Sequence, residues 1–407
     1  MITKKTIIIG GGITGLSAAS FIDDDWLLIE GSNELGGYCK TTISGDFVWD
    51  YSGHFFHFKN KEIKDYILEY IDCEVLDVKK VSSIFYNNKL IDFPFQHNIH
   101  QLDSKEFARC LLDLLYGEKS QQVSFKDFVY SNLGKAISDK FVIPYNEKLY
   151  SCDLDKLDKD CMGRFFPSSN LEDILNSISG KKYQSYNNSF IYPKLGAIEF
   201  IKSIQKRLNE KNIQLGEIVT RIDINKKMLE TTKGIYKFDN LISTIRFDKF
   251  LRKCNMPNTA FKSNKVVVFN IGFDANSTTD NHWIYFPGNE VFYRVGFYNN
   301  ILSSDKMSLY VEIGMGDEPV LKQELYEKVL ADLKRVGIIT SQNVVDYQML
   351  ILDPAYCYIT KNSTEQYNNW CDTYNKKGIY SIGRYGSWTY CSIEDNIIQA
   401  KNVVKNL

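Results

Sequence analysis

Lys5-Thr6-Ile7-Ile8-Ile9-Gly10-Gly11-Gly12-Ile13-Thr14-Gly15-Leu16-Ser17-Ala18-Ala19-Ser20-Phe21-Ile22 is the stretch on which the reading of this chain turns. Lys5 to Ile9 is a β-branched run that stops at glycine, the pattern of a strand buried on both faces in a parallel sheet. Leu16 to Ile22 is rich in small residues and reads as a helix. Between them Gly10, Gly12 and Gly15 satisfy G-x-G-x-x-G in the strand-to-helix context that the motif requires. The first glycine permits a tight turn, the second lets backbone approach a pyrophosphate, and the third lets helix and strand pack closely. Ile13 and Thr14 complete the turn and place the helix N-terminus, with its unpaired N–H groups, against the anion. A second strand, Trp26 to Ile29, ends at Glu30, twenty positions after Gly10, where a carboxylate can accept hydrogen bonds from ribose hydroxyls. A glycine-rich turn without a ligand is the plain alternative. The strand, the helix and the acidic residue together favour a dinucleotide site.

The rest of the composition narrows the field by exclusion. A chain of 407 residues has room for two or three domains, and 44% hydrophobic with 24% charged residues excludes disordered, collagen-like or coiled-coil sequences. Forty-nine Lys and Arg against 50 Asp and Glu leave a net charge of -1, so no global field recruits nucleic acid or anionic lipid. No run approaches the roughly 18 apolar residues of a membrane span. The apolar start ends at Gly10, too short for the core of a signal peptide. Nine cysteines without C-x-x-C pairs argue against a disulfide framework or a zinc site. The expectation is a reduced cytoplasmic protein.

Leu35-Gly36-Gly37, just after Glu30, resembles the extended fingerprint of FAD proteins of the amine oxidase and protoporphyrinogen oxidase superfamily. Further segments narrow the resemblance to the UDP-galactopyranose mutases. Gly53-His54-Phe55-Phe56-His57 resembles their G-x-H-x-F-H loop beside the flavin, and Leu90-Ile91-Asp92-Phe93-Pro94-Phe95 their L-P-F segment. Pro144-Tyr145-Asn146-Glu147-Lys148-Leu149-Tyr150 is similar to their uridine segment, with Tyr150 in place of tryptophan. Phe190 to Gly196 resembles their P-x-x-G turn, and Val291-Phe292-Tyr293-Arg294 their Y-x-R strand, whose arginine grips the substrate diphosphate. Gly383-Arg384-Tyr385-Gly386-Ser387-Trp388-Thr389-Tyr390 is similar to their C-terminal G-R-x-x-E-Y-x-Y segment. The segments keep their order along nearly the whole chain. Cys391, Ser392 and Ile393 depart from the family's tyrosine-aspartate-methionine run, and Arg164 stands near, but not in register with, the family's mobile-loop arginine.

The resemblance implies an α/β fold: a Rossmann-like FAD-binding domain with an inserted helical bundle and an antiparallel β-sheet substrate domain. The expected boundaries are 1–75, 200–255 and 340–407 for the FAD-binding domain, 98–185 for the helical insert, and 76–97, 186–199 and 256–339 for the sheet. Helical periodicity in Phe107 to Leu115 supports the insert, and strand-like runs at Lys265 to Ile271 and Ser308 to Ile313 support the sheet. Helices are expected over Lys202 to Leu208, Glu324 to Val336 and Glu394 to Val404.

By the same resemblance, FAD is held by Gly10, Gly12, Ile13, Thr14, Gly15, Glu30, Gly36, Gly37, His54, Arg384, Ser392 and Ile393. The substrate, a nucleotide-activated sugar, meets Tyr145, Tyr150, Arg164, Tyr293, Tyr356, Trp388 and Tyr390, with Arg294, Arg384 and His54 as catalytic residues. Each has a plainer reading. His54 and His57 lack ligand partners at metal spacing, so no metal is expected. Arg294 in an aromatic strand needs a bidentate partner, either diphosphate or an acidic neighbour. Any single tyrosine of 26 is ordinarily packing, and Trp388 suits a core as well as a ligand. Arg384 precedes a second helix start that faces an anion.

The implied activity interconverts pyranose and furanose forms of the sugar, in cell-surface polysaccharide biosynthesis. Reduced FAD attacks through N5 and displaces the nucleoside diphosphate, after priming by an external reductant such as NAD(P)H. Closure of a loop around residues 150–185 would exclude water, and a homodimer is possible by the same likeness. The rival reading is an FAD-dependent oxidoreductase of the amine oxidase type, which the dinucleotide fingerprint fits equally.

Overall fold

The first strand, Ile2–Ile9, buries Thr6 to Ile9 and lies between two parallel partners, Trp26–Ile29 and Ile235–Ser243. This computed structural model of the chain describes residues 1–23, 25–119, 121–181, 188–277 and 279–407. The helix Ile13–Phe21 follows the glycine turn, its small side chains Ala18 and Ala19 letting it approach the C-terminal helix Ile393–Val404. Around this centre a seven-stranded sheet runs in the order Val219–Asp223, Met228–Thr231, Ile235–Ser243, Ile2–Ile9, Trp26–Ile29, Ile213–Gln214. The short strand Ile379–Ser381 pairs in parallel with the C-terminal half of Ile235–Ser243 and delivers the segment that carries Arg384. That is the dinucleotide-binding architecture expected from the first thirty residues.

The second sheet also has seven strands, in the order Val344–Leu352, Lys265–Phe273, Ser308–Met315, Arg294–Phe297, Trp283–Tyr285, Ser82–Tyr86, Lys89–Asp92. Three expectations need correction here. Val344–Leu352 pairs with Lys265–Phe273, so the chain re-enters the dinucleotide domain only after this strand, not at residue 340. The long buried strand 265–273 needs partners on both edges to satisfy its backbone, and 344–352 supplies the outer one. Ser189–Pro193 pairs with Val75–Lys79 as a separate ribbon rather than with the large sheet. The large sheet is antiparallel as expected apart from one pairing, in which Trp283–Tyr285 runs parallel to Ser82–Tyr86. The expected helix at Lys202 to Leu208 begins earlier, as Ile198–Gln205, where Gly196 ends the preceding turn at φ 92°.

The insert is helical as expected: Ser104–Tyr116, Phe125–Ile137, Ile143–Tyr150 and Leu171–Ile178. The part of it that falls on 182–185, and residues 186–187 beyond, lie outside the described residues. Asp103 caps the first helix by accepting from the backbone N–H groups of Lys105 and Glu106, while Ser124 with Asp127 and Asn170 with Asp173 form capping boxes. The helix Ile143–Tyr150 lies on the second sheet over Gly314, where a Cβ would fall 2.0 Å from the Lys148 carbonyl oxygen. The close approach that this glycine allows brings Tyr145 and Tyr150 down to the sheet. Among the described residues no helix is long and apolar enough to cross a membrane.

Candidate functional site

The glycine turn is shaped by contact. A Cβ on Gly15 would sit 1.9 Å from the Gly10 carbonyl oxygen, so only glycine allows the helix this close to the strand. Gly12 is different: a Cβ there would meet only the Cα of Gly37, at 3.9 Å. Gly36 N–H donates to the Gly11 carbonyl at 2.8 Å and Gly12 bridges Gly36, so the two glycine segments lie side by side. No side chain caps the helix at Gly12, which leaves its first N–H groups for a ligand. Glu30 accepts from Gly11 N–H at 2.6 Å and from Ser32 N–H at 2.8 Å, one bond to each carboxylate oxygen, so lone pairs on both stay available for ribose hydroxyls. Side-chain-free backbone, open helix N–H groups and a fixed carboxylate fit a dinucleotide.

The C-terminal segment locks onto this turn through Asn396. Its Oδ1 accepts from the Thr14 hydroxyl and from Arg384 N–H, both at 2.9 Å, and its Nδ2 donates to the Ser392 carbonyl at 2.7 Å. Ser392 caps the helix Ile393–Val404 in a capping box with Asp395. Asp395 also accepts from Arg164 Nη2 at 2.6 Å and 2.7 Å, and Phe165 meets Tyr390 edge-on at 5.2 Å. The loop carrying Arg164 therefore reaches the segment carrying Arg384, although its sequence register did not align.

Arg384 is the exceptional cation. Its guanidinium lies 4.6 Å from the Tyr390 ring centroid and 5.3 Å from that of Tyr356, and Nη1 donates to the Cys391 carbonyl at 3.1 Å. Among the described residues no carboxylate pairs with it. Other partly buried arginines are neutralised: Arg246 by Asp248 and Asp353, Arg207 by Glu69.

Arg294 is neutralised too. Its Nε and Nη2 donate to the two oxygens of Glu312, at 2.5 Å and 2.8 Å, across the register of adjacent strands. The acidic neighbour is thus its bidentate partner in this structure, and Nη1 takes no part in the pair. Burial pushes the Glu312 carboxyl up, but Arg294 and the donating Ser52 hydroxyl outweigh it and hold the group below the usual carboxylate range. Around Arg294 stand aromatic rings: Tyr145 meets Tyr285 at 5.3 Å and Tyr293 at 5.9 Å, and Tyr310 lies 5.8 Å from the guanidinium. Tyr150 joins the Arg384 group through Tyr356 at 5.5 Å. Tyr145, Tyr150, Tyr293, Tyr356 and Tyr390 form one neighbourhood around the two arginines. Trp388 is set apart: it packs in the core against Phe261 at 5.5 Å and its Nε1 donates to the Tyr358 carbonyl at 3.3 Å.

His54 sits within electrostatic reach of Glu312, Arg384 and Arg294. Its Nδ1 is buried and, among the described residues, without a hydrogen-bond partner. Desolvation, with the two arginines, pushes its pKa down to about 4 against the pull of Glu312, so the ring is neutral near pH 7. His57 is turned elsewhere, with Nδ1 at 2.8 Å from the Ser189 carbonyl. No group of three or more His, Cys, Asp or Glu among the described residues could hold a metal ion.

Three residues of this neighbourhood escaped the sequence reading. Glu312 had a signal, since alternation in Ser308–Met315 puts Tyr310 and a lone acid on one strand face. Ser52 and Asn396 had none, because the partners that tie them to the site, Glu312 and Thr14, are distant in sequence.

Comparison with known proteins agrees with the fold. The family model described as an NAD(P)-binding Rossmann-like domain matches residues 8–70. A solved structure of reduced UDP-galactopyranose mutase has a TM-score of 0.91 at 22% identity, covering 99% of this chain and 95% of that one. Wild-type putrescine oxidase bound to putrescine has a TM-score of 0.69 at 13% identity, covering 100% and 99%. A corticosteroid-binding protein of Candida albicans is 28% identical over 272 residues, 60% of this chain and 52% of that protein, so the match spans about half the length of this curated relative. The likeness to the mutase is one of fold, and it runs the length of the chain as the ordered motifs led one to expect.

Proposed function

We propose that this chain is a flavoenzyme that holds FAD on the Gly10–Gly15 turn, Glu30 and the Gly36-Gly37 backbone, and interconverts pyranose and furanose forms of a nucleotide-activated sugar in the manner of UDP-galactopyranose mutase. One observation carries the reading. Arg384 is a guanidinium flanked by tyrosines and free of any carboxylate among the described residues, beside a helix N-terminus. A cation left unpaired in a partly dry site calls for an anion from the ligand, and a diphosphate matches its donors.

Reduced FAD, when bound, supplies the nucleophile for exchange at the anomeric carbon. The chain's own residues supply binding and charge. Arg384 stabilises the departing diphosphate as a pre-placed cation, with Tyr356 and Tyr390 excluding water from its faces. Arg294 stands nearby, Tyr145, Tyr150 and Tyr293 line the sugar-nucleotide pocket, and neutral His54 faces the flavin without adding charge. Arg164 and Phe165 close the entrance against Tyr390 and Asp395. An amine-oxidising enzyme shares the fold, as putrescine oxidase illustrates. Here, however, a cationic amine would meet the guanidinium of Arg384, and the carboxylate of Glu312 is already committed to Arg294. That favours an anionic substrate.

Titration of the yellow holoprotein with UDP-galactose and with UDP, followed by flavin absorbance, tests the reading. Both ligands should perturb the spectrum, and Arg384→Gln should weaken both dissociation constants at least tenfold at unchanged flavin content. Equal affinities in the two proteins would overturn it.

A further inference from the structure

The Arg294–Glu312 pair does more than cancel two charges. Glu312 is 1% exposed and lies at the centre of a chain of contacts: Arg294 donates to both of its oxygens, and the Ser52 hydroxyl donates to Oε1 as well. Ser52 is held at φ 130°, a conformation rare for a residue with a side chain. Its carbonyl accepts from His54 N–H at 2.7 Å, and the following Gly53 is pressed so closely on Tyr310 that a Cβ would fall 2.6 Å from the phenol oxygen. Strained backbone of this kind persists only where surrounding contacts over-determine it. A buried ion pair, for its part, contributes little net stability compared with apolar residues of the same volume, so its place beside the site points to geometry.

We propose that Glu312 is a positioning residue, resting on the nucleotide-sugar reading above: it clamps Arg294 through Nε and Nη2 so that Nη1 alone is presented to the ligand, and through Ser52 it sets the loop that carries His54. The substrate-side arginine and the histidine loop are thereby fixed by one carboxylate. Residues joined by an ion pair couple in stability whatever their role, so the cycle is read on ligand binding, which a merely structural pair would leave unchanged.

The test is a double-mutant cycle on the holoprotein with UDP-galactose as probe. Arg294→Gln and Glu312→Gln should each weaken binding about tenfold, and the double variant should bind no more weakly than Arg294→Gln alone. An effect of the double variant equal to the product of the single effects, or unchanged binding in Glu312→Gln, would overturn the assignment. The double variant carries no buried net charge, so it remains informative where Glu312→Gln alone fails to fold; Ser52→Ala then replaces the single change. A second readout needs no ligand. The ring nitrogen NMR shifts of His54 should move in Ser52→Ala and in the double variant, and unmoved shifts would overturn the loop half of the proposal. A wild type that binds no UDP-galactose would overturn the nucleotide-sugar reading instead, while the His54 shifts would still decide the link between Glu312 and the loop.

Discussion

His54 illustrates how one side chain carries both stability and site chemistry. Its folded pKa of about 4 lies below the ordinary histidine value of 6.5, so as pH falls from about 6.5 the unfolded chain takes up a proton that the folded protein refuses. Stability contributed by this group is therefore complete above pH 6.5 and is lost between 6.5 and 4, by about 3 kcal/mol at full extent, taking 1.36 kcal/mol per unit. His54→Asn should flatten that part of the profile. Thermal melts of both proteins from pH 7.5 to 4.5 should show the wild type losing more stability than the variant, and parallel profiles would contradict the buried, neutral ring. At the same scale, the glycine turn was legible because each of its roles is local. Gly10, Gly12 and Gly15 act within six residues, and the lack of room for a Cβ on Gly15, which would fall 1.9 Å from the Gly10 carbonyl oxygen, is what the motif anticipates. Glu312 was hidden for the opposite reason. Its meaning depends on Arg294 one strand over and on Ser52, 260 positions away.

Among the elements, the segment from Met162 to Phe166 reaches the C-terminal helix through the Arg164–Asp395 ion pair and the stretch before that helix through the Phe165–Tyr390 ring contact. Arg164 and Asp395 are 49% and 30% exposed, so the pair contributes under about 1 kcal/mol. Arg164→Ala should hardly change unfolding by urea yet lower kcat/KM for the nucleotide sugar about tenfold, because the entrance no longer closes on Tyr390. A large loss of stability with intact turnover would contradict a closing role for this segment. Helices were legible where apolar side chains recur at helical spacing, as in Ser104–Tyr116. The strand Val344–Leu352 was assigned to the wrong domain, because its partner is chosen by the unsatisfied edge of Lys265–Phe273, which no local pattern announces. On sequence Trp388 stands with the substrate residues, a core role being the close alternative; in the structure it packs against Phe261, a contact distant in sequence.

At the scale of the whole molecule, a dinucleotide-binding sheet, a second sheet and a helical insert converge on two arginines of different standing. Arg294 is balanced by Glu312, while Arg384 lies between tyrosines with no carboxylate partner among the described residues. The same fold serves isomerisation and oxidation, so the charge of the site, rather than the architecture, separates the two. The most direct measurement takes the yellow protein reduced with dithionite under anaerobic conditions, adds UDP-galactofuranose, and follows the nucleotide sugar by chromatography and mass. The account predicts catalytic formation of an isomer of equal mass by the reduced protein and none by the oxidised protein. Unchanged sugar with the reduced protein, together with oxygen consumption by the oxidised protein on an amine substrate, would contradict it.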